Sequence, residues 1–129
     1  MGTLRGVVTS GAGEGAWFMT LPWVRDAVYR LTGFHPYAGT LNLRLADPRA
    51  LAAWRDVARG PGLRIDPPTG EGCGGRLFRG VVLPDIAAAV IVPDVTRHPD
   101  DIIEIVAACH VRSALGVGEG DAVALRLGV

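Results

Sequence analysis

Two spacings of hydrophobic residues run along this chain, and they divide it into strands and helices. In "GTLNLRL", residues 39 to 45, Leu41, Leu43 and Leu45 alternate with Thr40, Asn42 and Arg44, which predicts a strand with one apolar and one polar face. Short runs rich in β-branched or aromatic residues predict further strands in "LRGVVTS", "AWFMT", "RLFRGVVL", "AAAVIVP", "DIIEIVAA" and "DAVALRL". The first two of these read as a strand pair joined across a glycine cluster. Helical spacing shows in Val24, Val28 and Leu31, with Thr20 as N-cap, Pro22 in the first turn and Gly33 as the stop, so a helix is expected over about 21 to 32. Asp47 and Pro48 open a second helix that turns Leu51, Trp54 and Ala58 inward and ends at Gly60. "HVRSALG" reads as a short third helix, and residues 60 to 75, rich in Gly and Pro, as a loop.

No interval between the later strands is long enough for a crossover helix, so their sheet should be largely antiparallel. About seven strands against two or three helices predict a mainly β fold: one small β-barrel domain over residues 1–129, with helices covering its openings.

Composition then narrows the chemistry. Thirteen basic and thirteen acidic residues leave the chain neutral, so neither nucleic acid nor a membrane surface is an expected partner. "MGTLRGVV" lacks the start of a signal peptide, and Pro84 and Asp85 interrupt the most apolar stretch, which predicts a cytoplasmic protein. Cys73 and Cys109 stand in no C-x-x-C or metal-ligand spacing and are expected as free thiols. All thirteen basic residues are arginine. Without lysine, neither a P-loop nor the protein-kinase scheme can operate, and Schiff-base chemistry is excluded with them. A nucleotide triphosphate would have to be held by backbone amides, arginine and a metal ion.

Two glycine clusters resemble each other, "GAGEG" at 11 to 15 and "GVGEG" at 116 to 120. The second follows a helix and precedes a strand, so it reads as a left-handed helix stop and turn, with Asp121 bonding turn amides. The first, as "GAGEGA", formally fits G-x-G-x-x-A. The dinucleotide motif, however, opens a helix within a βαβ unit, and here a strand-like segment follows. Its backbone amides remain able to converge on phosphate without a helix.

Taken together, "GAGEGAWFM", "GFHPYAGTLNLRL", "VTRHPDDIIEIVA" and "VRSALGVGEGD" resemble, in order and separation, the archaeal-type CTP-dependent riboflavin kinase family, from Leu4 to about Leu127. The resemblance implies a cradle-loop barrel, related to swapped-hairpin and double-psi barrels, that transfers the γ-phosphate of CTP to the 5′-hydroxyl of riboflavin, giving FMN and CDP with Mg2+. It places Gly11, Ala12, Gly13, Glu14, Gly15 and Ala16 in the nucleotide-binding loop, and Cys109, His110, Val111 and Arg112 in a second nucleotide contact. It makes Thr40 and Asn42 the magnesium ligands, and Thr96 and Glu104 the residues that hold the flavin. The partners implied are riboflavin or FMN and CTP or CDP, with the protein a monomer or a weak homo-oligomer.

These residue types suit those roles. Thr40 and Asn42, two apart, leave the same strand face, and each offers a neutral oxygen; phosphate and water can complete the octahedron that magnesium prefers. Glycine lets the backbone approach phosphate closely. Glu14 beside a triphosphate is electrostatically awkward, and pointing outward, bonding ribose and meeting the metal through water all stay open. Glu104, expected near the attacking hydroxyl, is the candidate general base, with His98 beside Arg97 as the alternative. Arg112 could stabilise phosphates. Trp17, Trp23 and Trp54 occupy apolar positions and read as core. Ala38 stands where the family usually has proline, and Cys109 and His110 are untypical of the second nucleotide segment. Two other readings are a catalytically silent flavin or nucleotide sensor and a swapped-hairpin-type DNA-binding regulator.

Overall fold

A computed structural model describes residues 2–11, 13–70, 72–96 and 99–128. Its described strands are β1 (Thr3–Thr9), β2 (Leu41–Arg44), β3 (Leu63–Ile65), β4 (Gly75–Val82), β5 (Ile86–Pro93), β6 (Ile102–Ala107) and β7 (Ala122–Leu127). Six of them close a ring in the order β4-β5-β6-β2-β1-β7 and back to β4, and every described pairing is antiparallel. One edge of β4 serves two partners: residues 75–77 pair with β3, and residues 80–82 with β7. The expected antiparallel barrel is thus the fold observed, and β3 is a short addition inside what the sequence presents as a loop.

Alternation along each strand makes two cores. Leu4, Val8, Leu41, Leu43, Leu45, Phe78, Val82, Ile103, Ile105, Val123 and Leu125 fill the barrel. Helix α3 (Pro48–Ala58) adds Ala50 and Trp54, and α4 (Val111–Leu115) adds Val111. Because α3 follows the end of β2 and α4 the end of β6, and these strands are antiparallel, the two helices cover opposite ends of the barrel. Trp54 is 5% exposed and meets Phe78 edge to face at 5.4 Å. Asp47 caps α3 as the sequence indicates, its Oδ1 accepting from the Arg49 amide at 2.9 Å. Replacing Asp47 with Ala is expected to cost about 1 kcal/mol, seen as a Tm lower by a few degrees.

The second core lies outside the wall. Ala89, Ile91 and Val106 face outward from β5 and β6, and Phe18, Met19, Val24, Ala27 and Val28 cover them. The covering residues come from α1 (Glu14–Phe18), the residue after it, and α2 (Pro22–Thr32). Two sequence expectations change here. "AWFMT" is helix and turn, not strand, because burying Phe18 and Met19 against the wall outweighs the strand preference of a segment too short to show periodicity. The N-cap of α2 is Leu21 without a side-chain bond, while the Thr20 hydroxyl donates back to the Trp17 carbonyl at 2.6 Å and finishes α1. The second glycine cluster behaves as expected: Gly116 ends α4 at φ 65°, and Asp121 accepts from the Gly118 amide at 2.8 Å. Both cysteines are free. Among the described residues, no helix is long and apolar enough to cross a membrane.

Candidate active site

The register between β2 and β6 sets Asn42 directly opposite Glu104, both on the outer face of the wall. Thr40 precedes β2 and shares the face of Asn42. The first glycine cluster lies over this pair at contact distance. A Cβ on Gly11 would stand 2.5 Å from Asn42 Oδ1, and one on Gly15 would stand 2.4 Å from Glu104 Oε2. These two positions require glycine for close approach rather than for backbone angle.

Glu104 is the only charged residue buried among those described, at 1% exposure. Its carboxylate accepts from the Gly15 amide at 3.0 Å and 2.9 Å and from the Thr40 hydroxyl at 3.1 Å. A buried carboxylate needs such donors to offset its lost hydration. With its hydrogen directed at Glu104, the Thr40 oxygen keeps its lone pairs for another partner. Asn42 Oδ1 is buried with no hydrogen-bond partner, an unmet acceptor that usually costs about 1–3 kcal/mol. Two neutral oxygens on one face, one of them orphaned, fit a hard cation that takes its remaining ligands from phosphate and water.

Concavities flank this centre on both sides. Tyr37, Thr40, Leu41, His110, Val111 and Arg112 are among the residues lining a pocket of about 250 Å3 at the α4 end of the barrel. There the Tyr37 ring tilts against His110 at 5.2 Å, and the His110 ring nitrogen Nδ1 meets the Ser113 hydroxyl at 2.5 Å. On the other side, Glu14, Trp17, Phe18, Trp23, Pro93 and Val95 line much of an apolar cleft of about 450 Å3. Glu14 Oε1 accepts from the Thr96 hydroxyl at 2.6 Å. Between the cleft residues Pro93 and Val95, Asp94 accepts from Arg64 at 2.8 Å and 3.0 Å, and Arg64 also bonds Asp66 at 3.0 Å. These hydrogen bonds hold the Asp94 carboxyl below the usual aspartate range and raise the Arg64 guanidinium.

Pocket, Thr40, Glu104, Gly15, Glu14 and cleft therefore form one continuous row. Residues singled out in the sequence stand along it: Gly11, Glu14 and Gly15 of the loop, Thr40, Asn42, Thr96 and Glu104, with Cys109, His110, Val111 and Arg112 around the pocket. Gly13 starts α1 at φ 78° with no atom within 4 Å of its Cβ position, and Ala16 lies within that helix. Ala12, Arg97 and His98 lie outside the described residues.

Two readings change. A short helix does begin within "GAGEGA", at Glu14, so the expected strand gives no ground for rejecting a dinucleotide motif; antiparallel pairing throughout the described sheet does, since no βαβ unit exists in it. Trp54 is core, but Trp17 is 65% exposed and Trp23 half-buried, and both line the cleft. The cleft walls and Tyr37 were not legible as site residues. The available signal was the density of tryptophan around the glycine loop, which apolar periodicity disguises as core.

Residues 8–127 match the family designated CTP-dep_RFKase and described as domain of unknown function DUF120. Among curated proteins, the chain is 41% identical over 129 residues to a riboflavin kinase of Pyrobaculum calidifontis, covering 96% of this chain and 59% of that protein. It is 34% identical over 133 residues to a riboflavin kinase of Methanoculleus marisnigri, covering 97% of this chain and 57% of that one. A riboflavin kinase of Thermofilum pendens is 36% identical over 129 residues, with 94% and 56% covered. The chain thus spans less than three fifths of the length of these relatives.

Proposed function

Because the chain belongs to the archaeal-type CTP-dependent riboflavin kinase family, we propose that it is itself a riboflavin kinase, with CTP as donor and Mg2+ as cofactor. The observation that carries this reading is the continuous row: a polar pocket, an oxygen pair fit for a cation, a glycine loop at contact distance, and an apolar cleft. Phosphoryl transfer needs two substrates aligned across one charged centre, which is what such a row supplies.

In this reading the donor base occupies the pocket at Cys109, His110, Val111 and Arg112, and the triphosphate reaches the amides of the 11–16 loop other than that of Gly15, which Glu104 already takes. Arg112, half-buried at the pocket, adds positive charge in a chain that has no lysine. Thr40 and Asn42 would hold magnesium, which when bound supplies positive charge against the triphosphate. The flat flavin ring suits the cleft between Trp17 and Trp23, and the hydroxylated chain then points to Thr96, Glu14 and Glu104. The 5′ O–H bond breaks, a new bond joins that oxygen to the γ-phosphorus, and the bond from γ-phosphorus to the β-bridging oxygen breaks to release CDP.

Glu104 has two roles in this scheme. Its contacts with Gly15 and Thr40 support an orienting role, clamping the glycine loop onto the strand of the metal ligands. As general base it would accept the 5′-hydroxyl proton, with the acceptor hydroxyl taking a place among its present donors.

The test is direct. Purified protein with riboflavin, magnesium and either CTP or ATP is expected to yield FMN by chromatography with CTP, and much less with ATP. FMN from ATP alone would overturn the donor assignment. Flavin binding with no FMN from any triphosphate would overturn the kinase reading and leave a sensor.

A further inference from the structure

The glycine loop carries one acidic side chain, and the placement of that side chain separates it from the loop's backbone. We infer that the Glu14 carboxylate is a recognition group for the hydroxyls of the acceptor's polyol chain, while the backbone around it serves the phosphate donor. The inference rests on the flavin kinase reading above and assigns a role within it.

Three observations carry it. Glu14 lines the apolar cleft and is absent from the lining of the polar pocket at Thr40. Among the cleft's described lining residues it is the only carboxylic side chain; apart from Gly72 and Cys73 its neighbours there are Trp17, Phe18, Leu21, Trp23, Pro93 and Val95. Its Oε1 already accepts a hydroxyl hydrogen bond, from Thr96 at 2.6 Å, so a hydroxyl donor is one partner this oxygen takes in the protein itself. A cleft that is apolar over most of its wall and ends in one carboxylate selects a ligand of matching polarity: a flat hydrophobic body with hydroxyl donors at one end. A triphosphate is the wrong ligand for that carboxylate, because like charges repel strongly in a partly desolvated site.

The placement also removes the electrostatic conflict that a glutamate in a phosphate-binding loop raises. Glu14 turns toward Thr96 on one side of the loop, while the neighbouring Gly15 amide turns to Glu104. One turn of chain can then serve both substrates, donor through main chain and acceptor through side chain.

Binding of two flavins tests this without turnover. Riboflavin carries the polyol; lumiflavin has the same ring with a methyl group in its place. Flavin fluorescence titrations without nucleotide are expected to show riboflavin binding weakened about 10- to 100-fold in Glu14→Ala, the usual range for losing hydrogen bonds to a charged acceptor, with lumiflavin binding unchanged within about twofold. In steady state, Glu14→Gln should raise KM for riboflavin while leaving KM for CTP unaltered. Equal losses for both flavins, no loss for either, or a rise confined to the KM for CTP would each overturn the assignment while leaving the flavin reading intact. Wild-type protein that binds neither flavin would overturn both together.

Discussion

Gly15→Ala is expected to reduce FMN formation at least about 100-fold and to lower Tm, because one methyl group is placed against a buried carboxylate that cannot step aside. The added Cβ would lie 2.4 Å from Glu104 Oε2, 2.8 Å from Cδ and 3.2 Å from the Glu104 Cβ. Had only the end of a flexible side chain been near, a rotation would relieve the contact. Here the whole side chain is buried and fixed by the Gly15 amide and the Thr40 hydroxyl, so relief means breaking those bonds. Hydrogen bonds to a charged acceptor contribute about 1.5–3 kcal/mol each, and breaking even one is enough for a Tm loss of several degrees. Gly33→Asn is the control: that position, outside the site, has open space around its Cβ and φ 86°, which asparagine tolerates. Thermal melts and FMN assays on both variants check the argument; equal behaviour of the two would refute the close-approach explanation.

Asn42→Ala should separate activity from stability in the opposite sense. The wild-type side chain buries an oxygen with no partner, so removing it should leave the metal-free Tm unchanged or slightly raised. The same change removes one of two proposed cation ligands, and FMN formation should fall at least about 100-fold. The added thermal stability given to wild-type protein by magnesium with CTP should also disappear. A variant that stays fully active, or that melts several degrees lower without ligands, would show that the orphaned oxygen has a structural rather than a metal-binding purpose.

Parts of this arrangement were legible before any coordinates. The alternation of Leu41, Leu43 and Leu45 placed Thr40 and Asn42 on a shared polar face because a strand's period of two leaves no other choice. Asp47 followed by Pro48 marked a helix start that the capping bond to Arg49 realises. Residues 14–18 were not legible: Trp17 and Phe18 carry strand preference, while the helix they belong to depends on a wall built some seventy or more residues later in the chain. The strand Leu63–Ile65 was hidden for a similar reason, since three residues among glycines and prolines have no pattern of their own and are ordered by pairing with β4. Glu104 could be singled out as a site residue, but its clamp on Gly15, 89 positions away, is a property of the closed sheet.

That separation bears on how the protein comes to work. Segments near residues 11–15, 40–42, 96 and 104 are brought side by side only when β1, β2 and β6 have found their neighbours, and the ring is sealed by β7 against both β1 and β4. No local piece of chain can assemble the centre in advance, and during refolding the return of ligand binding should coincide with the seam closing rather than precede it.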